Sequence, residues 1–381
     1  MAFADDPATP ATVRRHNARL VLARVRSHGA RSRADLARDT GLVKAAVSAI
    51  VADLIGAGLL AEAGQVPVGG RGRPVTLLRL DGGRAAALGV EVNVDFVNAV
   101  AVTLDGRVVL SERVPVRDPS PEQARATLAA LADRLGRPLL GACMAVPGLV
   151  DTATATVRHA PNLRWHDVRV ADWLPGGLLC DNDANLAVIA EHRRGAPADS
   201  AYLTGTVGVG AGLLLNGQVY RGGFGYAGEI GHMPIAGNHA RCGCGRTGCW
   251  ETVVGLDALS RRIAPDAGGT YDTKVAALVR RARTGEPQVL EALREHGAWL
   301  GRGAAAMINL LNPKALILGG YLADLAPWFL DTLRESLDTH VVAADLSPCR
   351  LRLSSLGVTA ASLGATDLVL DRIFADPLPA R

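Results

Sequence analysis

Residues 228–251 hold Cys242, Cys244 and Cys249, three of the six cysteines in a chain of 381 residues, and His232 lies ten positions before the first of them. Three thiolates and one imidazole form a closed tetrahedral donor set for Zn²⁺, and the glycines between them let a short loop wrap an ion without side-chain clashes. Closed coordination of this kind is structural. The plainer reading is three free thiols in a glycine-rich loop. His239 competes for the fourth position, but His232 is favoured because Glu229-Ile-Gly-His232 has the form of part of a site.

The same residues carry a family likeness. Glu229-x-x-His232 followed by Cys242-Gly-Cys244-Gly-x-x-Gly-Cys249-x-Glu251 resembles the signature of the ROK family, named for repressors, unassigned reading frames and sugar kinases. The likeness extends over nearly the whole chain. It implies that His232, besides holding the metal, touches a sugar hydroxyl, and that Glu229 and Glu251 bind sugar too. It assigns further hydroxyl contacts to Asn162 and to Asn182 and Asp183 in Asp181-Asn-Asp-Ala-Asn185, with backbone at Pro147-Gly148 near the ring. In the family's kinases the carboxylate matching Asp183 is the general base. A helix cap is the plainer reading of that Asn-Asp pair. Clustered amides and carboxylates suit a polyol, because each hydroxyl both donates and accepts and a wrong hydroxyl is left unpaired.

A sugar kinase must also hold the phosphates of ATP. In the fold that the likeness implies, two glycine turns do so through backbone N–H groups. One is present, from Thr204 to Gly212. Where the kinases carry Asp-x-Gly-Gly-Thr, this chain has Glu91-Val92-Asn93-Val94-Asp95, so side chains replace both glycines and a carboxylate stands where a hydroxyl would meet phosphate. A charge a few ångströms from a triphosphate costs on the order of several kcal/mol at an effective dielectric near 20. The expectation is a sugar-binding regulator with no catalytic residue. The alternative is an active ATP-dependent sugar kinase with a fused DNA-binding domain.

These residues need elements to position them. A hydrophobic content of 49% and a charged content of 20% fit a folded protein with two or three domains. No uninterrupted apolar run reaches the roughly 18 residues of a membrane span, and the first residues lack the basic-then-apolar pattern of a secretion signal. Cysteines at metal spacing suit a reducing compartment, so a cytoplasmic protein without a membrane partner is expected. From about residue 86, apolar strands alternate with Gly-rich turns and Ala-rich helices. Residues 87–107 read as a hairpin turning at Asp105-Gly106; Leu139–Val146, Leu178–Asp181 and Ala315–Leu318 read as further strands. Two related α/β halves look like the two-lobed actin-like (ribonuclease H-like) sugar-kinase fold. The first lobe is expected over 85–200, the second, with the zinc loop, over 201–357, and a last helix over 358–375 returns to the first.

Residues 1–84 contain 13 Lys+Arg against 7 Asp+Glu, whereas the rest holds 28 against 30. The basic surplus therefore belongs to the N-terminal segment, where a nucleic-acid footprint belongs. After a disordered stretch over 1–13, residues 14–84 read as a winged helix-turn-helix. An amphipathic first helix ends near Gly29, Ser32-Arg-Ala-Asp35 is a capping box, Gly41 turns the chain, and a third helix runs over 43–57. Its face bearing Lys44, Ala45 and Ser48 is turned away from the core and suits base contact; Arg33, with Arg71 and Arg73 on a glycine-framed wing tip, suits phosphate or minor-groove contact. A compact helical interaction domain is the bland alternative. The expected partners are a double-stranded DNA operator, a sugar effector and further copies of this chain, as a homodimer or tetramer.

Overall fold

Capping chemistry sets the N-terminal elements of the computed structural model, which describes residues 9–66, 74–206, 208–235, 237, 239–266, 268–346 and 348–378. Thr9 accepts the Thr12 N–H and Pro10 follows at N1, so helix α1 spans Pro10–His28 and replaces the disorder expected for 9–13. Its buried stripe is Ala18, Val21, Leu22 and Val25. Strand β1 (Arg31–Ser32) leads into α2 (Arg33–Thr40), where Ser32 and Asp35 form the reciprocal capping box. Gly41, at φ 73°, closes α2 in the left-handed conformation. Helix α3 (Lys44–Gly56) buries Val47, Ile50, Val51 and Leu54 and leaves Lys44, Ala45 and Ser48 exposed. Strands β2 (Leu60–Val66) and β3 (Val75–Leu80) pair antiparallel, with β1 on the far side of β3. The wing tip, including Arg71 and Arg73, lies outside the described residues.

The body contains two five-stranded sheets of one topology. The first is built from β4 (Ala86–Val92), β5 (Phe96–Thr103), β6 (Val108–Pro115), β7 (Leu139–Val146) and β11 (Leu179–Asn182), in the order β11-β7-β4-β5-β6. Helix α4 (Pro121–Arg134) follows β6, and a small sheet of β8 (Leu149–Asp151), β9 (Thr156–Ala160) and β10 (Trp165–Arg169) precedes β11. Helix α5 (Asp183–Arg193) leaves the end of β11. The second sheet holds β12 (Ser200–Gly205), β13 (Val209–Leu215), β14 (Gln218–Val219), β15 (Ala315–Leu318) and β16 (Arg350–Leu353), in the order β14-β13-β12-β15-β16. In both, the central strand has an antiparallel meander on one side and two parallel strands on the other. Between β14 and β15 run α6 (Glu251–Val254), α7 (Leu256–Ile263), α8 (Tyr271–Arg283) and α9 (Pro287–Leu311); α10 (Tyr321–Leu325) and α11 (Leu330–His340) precede β16.

The stretch 87–107 is not one hairpin. It turns at Asn93–Asp95 as well as at Asp105-Gly106, giving β4, β5 and β6. Every residue of β4 and β5 is buried, so no polar alternation marks the first turn in the sequence.

The last helix, α12 (Ala360–Ala375), packs on β4, β7 and α5. Contact is close enough that a Cβ on Gly364 would run into the Leu186 carbonyl of α5. The buried side chains of α1 and α3 join those of α12 and α5 in one apolar cluster that includes Val25, Leu186, Val369 and Phe374. The N-terminal domain is thus seated on the first lobe through a packed core. Among the described residues no helix is long and apolar enough to cross a membrane. Gly364→Ala is expected to lower folding stability by about 1–3 kcal/mol through overpacking of α12 on α5, read as a lower denaturant midpoint with an unchanged slope.

Candidate functional site

The end of β11 and the start of α5 organise the cleft between the two lobes. Asn182 is the cap of α5: its side-chain oxygen accepts the N–H groups of Ala184 (2.9 Å) and Asn185 (3.2 Å), and its amide donates to the Gly148 carbonyl at 3.2 Å. Asp181, buried, accepts the Asn185 side-chain amide at 3.2 Å and is ion-paired with Arg221. These bonds hold Asp183 at the first turn of α5, facing the cleft. Gly148, Asn162, Asn182, Asp183, Glu229, His232 and Glu251 all line this one cleft. Gly148 is required by its own neighbours, since a Cβ there would come within 2.6 Å of the His159 carbonyl. Thr204 and Thr206, read in the sequence only as part of a glycine turn, also line it. Arg221 had no signal in the sequence at all: its partner is forty positions away.

His232, Cys242, Cys244 and Cys249 bring their ligand atoms within 4.8 Å of one another, a group that could hold a metal ion. His232 Nδ1 lies 3.6 Å from Cys242 Sγ, and Cys244 Sγ lies 3.7 Å from Cys249 Sγ. Those spacings approach the edges of a tetrahedron with metal–sulfur bonds of about 2.3 Å. His239 is exposed and outside the group. The cluster also grips the cleft acids. Cys242 Sγ donates to Glu251 Oε1 at 2.7 Å, and His232 reaches Glu251 at 3.5 Å and Glu229 at 3.8 Å.

Behind these groups sits an acid that the sequence did not mark as special. Glu91 is 2% exposed; burial, with Asp183 nearby, pushes it up to about 8, and it accepts the Asn93 side-chain amide at 3.1 Å. Burial and the Glu229 carboxylate raise Asp183 to about 6. At neutral pH Asp183 is then mainly a carboxylate, an acceptor for a hydroxyl, while Glu91 stays mainly protonated. The adjoining Asp95 faces the other lobe, where its Oδ2 accepts the Tyr271 N–H of α8 at 2.7 Å.

On the N-terminal domain, Arg33 pairs with Glu62 of β2 at 3.3 Å. Val43, which precedes α3, offers no side-chain cap, so the first N–H groups of that helix have no partner from it. Lys44, Ala45 and Ser48 stand beside that helix end and far in sequence from the cleft.

A profile of the ROK family matches residues 87–372. The chain is 29% identical to the xylose repressor of Bacillus subtilis (strain 168), over 97% of this chain and 98% of the repressor. A ROK family transcriptional regulator, a homolog of the E. coli MLC protein, has a crystal structure that aligns with a TM-score of 0.77 at 22% identity, spanning 96% of this chain and 97% of that one. A ROK family glucokinase from Streptomyces griseus, solved with glucose and AMPPNP, aligns with a TM-score of 0.66 at 28% identity, spanning 74% of this chain and 98% of the kinase.

Glu91 makes stability depend on pH. Between its ordinary value of 4.5 and about 8, the folded chain keeps a proton that the unfolded chain releases, so stability falls as pH rises through that window. Glu91→Gln removes this cost. Its thermal midpoint is expected to exceed the parent's by a margin that grows from about pH 5 to about pH 8 and then levels.

Proposed function

This chain belongs to the ROK family, and from that premise we propose that it is a sugar-responsive, DNA-binding transcriptional repressor whose effector occupies the Asp183 cleft. The observation that carries the reading is the pairing of an intact hydroxyl-binding set with Asp95 on the Tyr271 N–H. The first turn of a helix is where a phosphate docks, and here an internal carboxylate already uses it. A triphosphate arriving there must displace or face that charge, so the kinase reaction is absent from this reading. The length match to the xylose repressor, N-terminal domain included, supports the same choice.

In this reading Asn162, Asp183, Glu229, His232 and Glu251 meet the hydroxyls, and Asn182 and Gly148 shape the floor. The metal is Zn²⁺, held by His232, Cys242, Cys244 and Cys249. It supplies a rigid knot that orients Glu251 and Glu229 and takes no part in chemistry. Lys44, Ala45 and Ser48 meet base edges, and Arg33, Arg71 and Arg73 meet phosphates. The protein acts in the cytoplasm as a homodimer or tetramer, because paired heads read paired half-sites.

Occupancy has a short route to the head. Asp183 opens α5, and Arg193 in its last turn pairs with Asp371 of α12. The same Asp371 Oδ1 lies 3.7 Å from Arg26 of α1, and the Arg26 guanidinium stacks on Phe374 at 4.0 Å. Arg15 of α1 pairs with Asp376. One carboxylate therefore touches both the sensing helix and the head. An effector that prefers one arrangement of α5 biases the head through these contacts, by the 1–3 kcal/mol or so typical of allosteric coupling.

Three measurements test the proposal. Elemental analysis is expected to find one zinc per chain, with Cys249→Ser losing it. Operator binding titrated with xylose, hexoses and aminosugars is expected to weaken for the parent, whereas Asp183→Ala should keep operator affinity and lose the sugar response. Asp371→Asn should keep both affinities yet shrink the response. ADP release from ATP with the same sugars would favour the kinase instead.

A further inference from the structure

The cleft continues past Asp183. A second cavity of about 360 Å³ opens beside it, and Asn162 and Thr206 line both, so the two spaces are contiguous. The volume falls within the range of small-molecule sites. It lies where β4 turns into β5 and where α8 begins, facing Asn93, Asp95, Arg117, Asp118, Thr270 and Lys274.

The charges in this cavity run against a phosphorylated ligand. Asp95, Asp118 and Asp257 outnumber Arg117 and Lys274. Lys274 Nζ is 2.7 Å from Asp257 Oδ1 and is already paired. The anion-binding donor of the α8 first turn is spent on Asp95. A phosphate entering here would meet an excess carboxylate and a helix end whose first N–H is already taken. A nucleotide base would also find no aromatic platform beyond Tyr271, which is 6% exposed.

The same lining suits an uncharged polyol. Carboxylates and the Asn162 amide oxygen accept hydrogen bonds, Arg117 and the amide nitrogen donate, and Thr206 and Thr270 do both. Val94, Val116 and Leu256 supply apolar surface for the C–H face of a ring. Taking the Asp183 cleft as a sugar site, we infer that this cavity is a second glycosyl subsite. The effector is then a neutral glycoside of at least two rings, one at Asp183 and the next against Asp118, Arg117 and Thr270, joined past Asn162 and Thr206.

Calorimetry on the full-length chain tests this with xylose, glucose and N-acetylglucosamine against their β-1,4-linked disaccharides, and with magnesium–AMPPNP as the nucleotide probe. At least one disaccharide is expected to bind ten-fold or more tightly than its monosaccharide. Thr270→Trp, at an exposed position on the rim of the second cavity, should abolish that gain while leaving monosaccharide affinity within about two-fold. Monosaccharide binding with no disaccharide gain would overturn the second subsite and leave the Asp183 site standing. Absence of binding by every sugar would overturn the Asp183 site itself. Magnesium–AMPPNP binding that Thr270→Trp blocks would assign the cavity to nucleotide and end the inference.

Discussion

Helix α5 starts where β11 stops, and the hydrogen bonds at that junction fix most of what matters in this molecule. Asn182 satisfies two first-turn N–H groups of α5 and ties the helix to the Gly148 carbonyl. Such a cap is worth about 1 kcal/mol as a stabilising term; its greater consequence is geometric. It leaves Asp183 at a buried helix start, where burial makes its carboxyl a weaker acid without neutralising it at pH 7. The ion pair between Asp181 and Arg221 then ties the second lobe to this junction, since Arg221 follows β14.

From that junction the structure is organised in two directions. Toward the second lobe, the cleft acids are gripped by the group that could hold a metal ion: His232 and Cys242 of that group both reach Glu251. Toward the N-terminus, α5 lies against α12 and α12 against α1, with the apolar cluster continuous across all three. Surface ion pairs such as Arg26–Asp371 add little stability by themselves, about 0–1 kcal/mol. Their value is in reporting relative position, because a packed interface moves between discrete arrangements more readily than it deforms.

Asp95 bears on how a kinase-like body can serve regulation. Its carboxylate bonds to the Tyr271 N–H, linking the β4–β5 turn of one lobe to α8 of the other, and Arg113 of β6 adds a second link to Asp272 at 3.0 Å. A phosphate binder needs free N–H groups and open space at such a helix end. Here one of those N–H groups, that of Tyr271, is committed to Asp95 of the protein's own chain. Relatives of this chain include glucokinases as well as repressors, and the Asp95 bond is the feature on which the proposed non-kinase role rests.

The cysteine spacing, the ROK signature and the capping box of α2 were legible in the sequence, because each is a local pattern whose residues lie within a few turns of one another. The α/β character and the amphipathic face of α3 were legible for the same reason. The turn at Asn93–Asp95 was not, since strands buried on both faces show no alternation to interrupt. Nor was the start of α1 at Pro10, although Thr9 and Pro10 carry an ordinary cap. The weakened acidity of Glu91, the Arg221–Asp181 pair, the bond from Asp95 to α8 and the sharing of Asp371 between α1 and α5 depend on groups that meet only when the two lobes and the N-terminal domain pack together. Burial and long-range pairing are properties of the assembled interior, so tertiary structure alone decided them.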